Sequence, residues 1–199
     1  LATLAATGCI DNDIPYPIVK LDILTLSAEG EKAPATINTS ACTVDFELEE
    51  IIDIRKVEIK DVTFTEGAEA DVQFPGRFDM RNALYVNLTK YQTFEWTIRA
   101  TQNIERYFRV EGQIGESEID AVSHIATAYV PMDYDMNNVR ITAAKFGPKD
   151  ITTYYPDPLS FTSFDGTVHH TMVSYHGDIE EMWTLKIIQK DIDVEFSAV

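Results

Sequence analysis

The sequence contains few cysteines, few basic residues and no long apolar run. Its 199 residues include two cysteines, so at most one intrachain disulfide could form. Sixteen lysines and arginines stand against 33 aspartates and glutamates, which gives a net charge of −17. Such an acidic chain is a poor partner for nucleic acid, because that binding depends on basic groups that neutralise phosphates. No stretch approaches the ~20 apolar residues that a membrane-spanning helix needs.

Motifs for catalysis and metal binding are also missing. No GxSxG, HxH, HExxH or DxDxDG pattern occurs. Adjacent carboxylates such as Glu180 and Glu181 are expected at strand ends, where they serve solubility. We therefore predict no catalytic residue, no metal site, no cofactor and no enzyme activity within residues 1–199. Four histidines lack ligand spacing: His124, His169, His170 and His176.

The first residues point to a secreted, lipid-anchored protein. Residues Leu1–Gly8 are small and apolar and precede Cys9, after which Asp11 and Asp13 follow. An alanine-rich octet is poor strand material and is typical of the apolar region of a signal peptide. The arrangement resembles the bacterial lipobox, and the acidic residues resemble the surface-export signal of Bacteroidetes lipoproteins. The alternative is an ordinary apolar strand with a buried cysteine.

That resemblance implies a location and an anchor. Residues 1–8 would be the end of the signal peptide, and Cys9 would be lipidated and attached to the outer membrane at the cell surface. Residues 9–20 contain Pro15 and Pro17 and are expected to form an extended tether. Cys42 would then have no disulfide partner and would behave as a small buried apolar residue.

Alternation of apolar and polar residues predicts an all-β protein. Cys42, Val44, Phe46 and Leu48 alternate with polar residues, which is typical of a half-buried antiparallel strand. The helical candidates, 49–56 and 132–138, are too short to organise a fold. Further strands are predicted at Leu21–Leu26, Val57–Phe64, Leu84–Leu88, Phe94–Arg99, Tyr107–Ile114, Ile125–Val130, Val139–Phe146, Val168–Tyr175 and Met182–Ile188.

The two halves of the chain repeat the same spacing. Residues 82 positions apart match in type, and after a small insertion the offset becomes 87, so that Val86, Leu88, Trp96, Thr97 and Ile98 match Val173, Tyr175, Trp183, Thr184 and Leu185. Two tandem immunoglobulin-like β-sandwiches are predicted, at 21–103 and 104–190, with 191–199 as a linker or the start of a following domain. We expect both tryptophans in cores, and Asp53 and Asp135, also 82 apart, to cap turns.

The second half carries a wider resemblance. Val139–Lys145, then Phe146–Pro158 (FGPKDITTYYPDP), and then Glu180–Leu185 (EEMWTL) are similar to the tandem immunoglobulin-like modules of Bacteroidetes surface lipoproteins. In many of those proteins a larger β domain proposed to act in carbohydrate metabolism follows. The resemblance implies a non-catalytic spacer or platform in glycan handling, with glycans or glycan-processing proteins as partners.

Aromatic residues supply the candidate binding site. Tyr154 and Tyr155 precede a Pro-Asp-Pro turn, and Phe161 and Phe164 follow it. A loop with this content predicts a platform on which sugar rings could stack, and hence a carbohydrate-binding module. Alternatively, the prolines stiffen an edge segment and the aromatic rings close one end of the core. A third hypothesis, a fimbrial or adhesin subunit, needs an exchangeable edge strand, and the sequence offers no separate donor segment.

Overall fold

The structure is a computed structural model that describes residues 19–191. The predicted signal peptide, Cys9 and most of the tether lie outside the described residues, as do residues 192–199. Strands and turns make up the described chain, and its helical content there is two 3-10 turns, Ile54–Lys56 and Pro158–Ser160. The all-β prediction is confirmed. Residues 19–191 include no helix that could span a membrane.

Eight strands form the first half. They are β1 (Ile23–Ala28), β2 (Thr36–Asn38), β3 (Thr43–Leu48), β4 (Val57–Phe64), β5 (Glu69–Ala70), β6 (Gly76–Phe78), β7 (Leu84–Thr89) and β8 (Thr93–Gln102). One sheet has three strands in the order β1–β4–β6, and the other has five in the order β2–β3–β8–β7–β5. The predicted strands of this half are present, and the structure adds the short edge strands β2, β5 and β6.

Seven strands form the second half. They are β9 (Tyr107–Val110), β10 (Glu118–Asp120), β11 (Ile125–Pro131), β12 (Ile141–Lys145), β13 (Thr153–Tyr155), β14 (His169–Tyr175) and β15 (Ile179–Lys190). A two-stranded sheet pairs β9 with β12, and a five-stranded sheet runs β10–β11–β15–β14–β13. The five-stranded sheets of the two halves correspond strand for strand. Within 19–191, each sheet draws its strands from one half of the chain.

Parallel pairs at the sheet centres agree with the predicted offsets. Thr43 of β3 lies opposite Thr97 of β8, and Ile125 of β11 lies opposite Thr184 of β15. Thr43 and its equivalent Ile125 are 82 residues apart, and Thr97 and its equivalent Thr184 are 87 residues apart. The prediction of an antiparallel strand from Cys42 onward is therefore only partly right, because β3 is antiparallel to β2 but parallel to β8.

The hairpins differ in one detail from the predicted repeat. Val86 lies opposite Trp96, whereas Thr171 lies opposite Trp183. The structural equivalent of Val86 is therefore Thr171 and not Val173. Because the slip is two residues, the same side chains still point inward, since side chains alternate with a period of two.

Cys42 is a turn residue and not a buried strand residue. It lies just before β3 with φ of 52° and is half-buried. Its equivalent, His124, has φ of 54°. The carbonyl oxygen of each accepts a hydrogen bond from the central strand, from the Thr97 N–H at 2.9 Å and from the Thr184 N–H at 2.8 Å. The repeat thus preserves the backbone of this turn while the side chain changes.

Two separate apolar cores lie between the sheets. The first contains Trp96 and the second contains Trp183, and both indoles are fully buried, as expected. Trp96 Nε1 donates to the Leu21 carbonyl oxygen at 2.9 Å. The Trp183 ring stacks on Phe146, with 4.7 Å between ring centroids. Each half therefore has its own buried aromatic centre.

Candidate functional site at the junction of the halves

Arg55 joins the two halves through two carboxylates. Its guanidinium donates to Asp53 at 2.8 Å from both Nε and Nη2, and to Asp178 at 3.0 and 2.6 Å. Asp53 is in the same turn, whereas Asp178 is in the hairpin between β14 and β15. A guanidinium is planar and can donate in a bidentate manner, so each carboxylate is held in orientation as well as distance.

The turn that contains Asp53 and Arg55 positions the Arg55 side chain for these contacts. The Asp53 carboxylate accepts from the Arg55 N–H at 3.0 Å and starts the 3-10 turn Ile54–Lys56, as predicted for a turn cap. The cap places the Arg55 side chain at the edge of the first half. The Arg55 side chain is 21% exposed and that of Asp53 is 17% exposed, so the pair is only weakly open to solvent.

Hydrogen bonds at this site shift the pKa values of three groups. The Arg55 guanidinium lowers the pKa of Asp53 to about 2. The same guanidinium lowers the pKa of Asp178. The pKa of Arg55 itself is raised by its bonds to Asp53 and Asp178. All three groups are therefore charged at neutral pH, and two carboxylates share one cation across the junction.

A second ion pair lies across the same junction. Lys145 Nζ donates to Glu50 Oε2 at 2.7 Å, and the Lys149 N–H donates to Glu50 Oε1 at 3.2 Å. Burial raises the pKa of Glu50, but these hydrogen bonds outweigh it and the pKa is lowered. Lys145 Nζ also donates at 2.7 Å to the carbonyl oxygen of Glu105, in the short connection between β8 and β9. The connection is thus held by the second half.

A polar cleft of about 390 Å³ opens beside these contacts. Both halves line it, with Glu49 and Asn103 on one side and Lys149 and Asp150 on the other. Its lining residues carry both signs of charge, and Ile51 is the one apolar residue among them. Ligand pockets are mostly lined by apolar residues with a few placed polar groups, so this cleft, lined mainly by charged residues, differs from a typical ligand pocket.

Acid should weaken the Arg55 contact. Asp53 has a pKa of about 2 in the folded protein against an ordinary 3.8. Its contribution to stability is complete above the ordinary value and is lost as pH falls through the folded value. We expect Asp53→Asn, which keeps the cap acceptor, to lower the free energy of unfolding at pH 6 by about 2 kcal/mol. Urea unfolding of both proteins across acidic pH measures this, and a difference that stays constant down to about pH 2 would contradict it.

The two predicted binding tyrosines are not brought together. They lie in the edge strand β13 and not in a loop, so their rings point to opposite faces. Tyr154 packs against the second core, and its hydroxyl accepts from the Phe146 N–H at 3.1 Å. Burial raises the pKa of Tyr154. Tyr155 is 83% exposed. Tyr154 helps to close the core, as predicted by the alternative to a sugar-binding platform, whereas Tyr155 faces solvent.

The remaining loop aromatics also pack inward. Phe164 is buried, and Phe161 stacks on His169 with 4.2 Å between ring centroids. His169 faces inward and His170 is exposed, so these adjacent histidines point to opposite faces of β14. Among residues 19–191 no group of three His, Cys, Asp or Glu side chains is placed to hold a metal ion.

Glu181 was expected to serve solubility at a strand end, but it is a half-buried carboxylate near the start of β15 with partners on the inner face. Its carboxylate accepts from the Tyr175 hydroxyl at 2.6 Å and from Trp183 Nε1 at 3.0 Å. His124 Nε2 lies 3.7 Å away, and the Glu181 side chain is 16% exposed. Burial raises the pKa of Tyr175, and the bond to Glu181 adds to the rise. One feature of the sequence could have predicted these contacts. Glu181 lies two residues before Trp183, and side chains two residues apart on a strand point to the same face, here the inner one.

Comparisons with known proteins identify no family for this chain. No family model and no curated protein matches the chain. Among solved structures, the chain is similar to a crystal structure of a proposed glycoside hydrolase from Bacteroides thetaiotaomicron, with a TM-score of 0.40 and 11% sequence identity. The similarity covers 81% of this chain and 46% of that structure. The chain therefore spans less than half of that neighbour.

Proposed function

We propose that this chain is a non-catalytic spacer made of two tandem immunoglobulin-like β-sandwiches, 21–103 and 104–190. Lipid on Cys9 would anchor it at the cell surface, and the two sandwiches would present or space a glycan-handling partner. The pair of ion bridges at Arg55 and Lys145 is the observation that carries the spacer role. A spacer must hold its modules in a fixed relation, and these contacts are suited to do so.

The sandwich assignment draws on the matched sheets. In each half a five-stranded sheet and a smaller sheet enclose one buried tryptophan. Greek-key sandwiches of this size bury alternate residues of both sheets, and a core of this kind can support an independent domain. The location and the glycan connection rest on the lipobox and module resemblances.

Stiffness depends on several contacts acting together. A single exposed ion pair contributes little, and the Asp178 side chain is 55% exposed. The side chains of Arg55, Lys145 and Glu50 are more covered, however, and each cation bonds more than one partner. Arg55 bonds both carboxylates in bidentate form, and Lys145 bonds a carboxylate and the connecting backbone. Relative motion of adjacent domains is the default unless their interface restrains it. The contacts at the junction supply that restraint.

Removing both ion pairs at the junction should allow the two halves to move relative to each other. We expect amide residual dipolar couplings of the wild-type protein to fit one alignment tensor for both halves, since the bridges fix their relation. The double variant Arg55→Ala, Lys145→Met should need two tensors of different magnitude. Arg81→Ala is the matched control, because Arg81 pairs with Asp79 inside the first half and is exposed. Two unrelated tensors in the wild-type protein would refute a rigid spacer.

A further inference from the structure

An apolar strip crosses the outward face of the second five-stranded sheet. It consists of Tyr155 on β13, Met172 on β14 and Met182 on β15, which lie opposite one another in register. Tyr155 is 83% exposed and Met182 is 50% exposed, and Met172 between them is half-buried. Neighbouring strands are about 4.8 Å apart, so the strip spans about 10 Å. We call these three side chains the apolar strip.

The first half shows that the fold does not require this strip. The same row of its five-stranded sheet contains Asp71, Asn87 and Glu95. The Asn87 side-chain amide donates to the Asp71 carboxylate at 2.8 Å, so that row is polar and internally bonded. Side chains on the solvent face of a sandwich are ordinarily polar. The apolar strip is therefore a property of the second half alone, and it is not explained by packing.

Polar groups border the strip on both sides. One neighbouring row is Thr153, Ser174 and Glu180, which lie opposite one another. The other row contains His170 and Thr184 and continues on β11 with Ile125, and His170 Nδ1 lies 3.1 Å from Thr184 Oγ1. Hydroxyl, imidazole and carboxylate groups thus border an apolar line that is one side chain wide. A ligand for it needs a narrow apolar face and hydrogen-bonding edges.

The size of this face argues against another protein or a second copy. Five strands about 4.8 Å apart and about 20 Å long give an area of about 500 Å². A stable protein interface buries about 800 Å² on each partner, with an apolar core wider than one side chain. A second copy would also bring a further net charge of −17 toward this chain. An anionic ligand would be repelled for the same reason.

We propose that this strip binds a neutral glycan chain. Pyranose rings have apolar C–H faces and hydroxyl edges, so a chain laid along the strip could stack on Tyr155 and pack against the methionines. The border rows could then donate to and accept from its hydroxyl groups. A rigid aromatic ring gives contact area at low entropic cost, and methionine adapts to irregular surfaces. Binding here is independent of the spacer role, which the junction carries.

Affinity electrophoresis tests this directly. The full chain is run through gels that contain a soluble glucan, mannan or xylan, with anionic alginate for comparison. We expect retardation in at least one neutral gel. The triple variant Tyr155→Asp, Met172→Asn, Met182→Glu copies the row of the first half and should remove the retardation. Tyr155→Ala alone should weaken binding about tenfold, the loss of one aromatic contact.

Tyr91→Ala is the matched control, because Tyr91 is 87% exposed in a hairpin of the first half. It should migrate like the wild-type protein. Three results would overturn the proposal: no retardation of folded protein in any neutral gel, equal retardation of wild type and Tyr155→Ala, or retardation in alginate alone. Sedimentation would also overturn it if it showed a dimer that the triple variant abolishes. None of these outcomes affects the test of the junction.

Discussion

Trp96→Ala should unfold the first half and leave the second half folded. The indole of Trp96 is fully buried at the centre of the first core, and its Nε1 donates to the Leu21 carbonyl oxygen. Removing a buried tryptophan side chain costs about 3–5 kcal/mol. The carbonyl of Leu21 would also lose its partner, which adds to the cost. Since a small domain has a stability of about 5–15 kcal/mol, the loss is a large fraction of the total.

Hydrogen exchange followed by mass spectrometry resolves the two halves. We expect peptides from β7 and β8 to lose protection in Trp96→Ala, while peptides from β14 and β15 keep theirs. Trp183→Ala should give the reverse pattern and serves as the matched control. Trp96→Phe preserves most of the volume and should have a smaller effect in the same region. Equal loss of protection in both halves would mean one cooperative unit and would refute the tandem arrangement.

Cys9→Ala should release the protein from membranes completely. The proposal places acyl chains on the Cys9 thiol, and the variant has no atom to carry them. A single acyl chain gives only marginal membrane binding, so attachment depends on the several chains of a lipoprotein. We expect the wild-type protein, produced from its own gene, to enter the detergent phase of a Triton X-114 extraction and to incorporate labelled palmitate. The variant should appear in the aqueous phase without label.

Cys42→Ala provides the control for this experiment. Cys42 is half-buried in a turn of the first half and should not affect partitioning. Continued attachment of the Cys9→Ala protein would contradict the anchor. A wild-type protein that stays in the aqueous phase without label would favour the alternative of an apolar N-terminal strand. Because the readout is phase partitioning, it is unaffected by either the junction or the apolar strip.

The alternation of apolar and polar residues along the sequence predicted much of the fold. The alternation around Val44 and Phe46 gave β3 to within a residue, and the matched tryptophans gave both cores. The paired aspartates were also predicted as turn caps, and the Asp135 carboxylate accepts from the Asn137 N–H at 3.0 Å. These predictions succeed because they depend on residues near in sequence or on burial, and both leave a local pattern.

Strand direction and the shortest strands could not be predicted. A half-buried strand alternates in the same way whether its neighbour is parallel or antiparallel, so the pairing of β3 with β8 was hidden. Edge strands such as β5 and β10 have two or three residues, too few for a period to appear. The slip in the second hairpin was hidden for the same reason, since a shift of two residues keeps every side chain on its face.

Local sequence patterns could not predict the candidate sites. Arg55 and Asp178 are 123 residues apart in the chain, and neither is distinguished among the many charges of the sequence. Tyr154 and Tyr155 were noticed as a pair, but an edge strand turns adjacent residues to opposite faces. The neighbours of Tyr155 in the apolar strip come from two other strands. Met172 and Met182 become a feature only when the register aligns them.

The last strand of each half occupies the middle of its larger sheet, which constrains the order of folding. Strand β8 lies between β3 and β7, and β15 lies between β11 and β14. Thr43 must find Thr97, so the sheet centre joins segments far apart in sequence, and such pairing is slow. A growing chain cannot close either sandwich until its final segment has been synthesised. Each half should therefore mature in one late step, at about residue 102 and again at about residue 190.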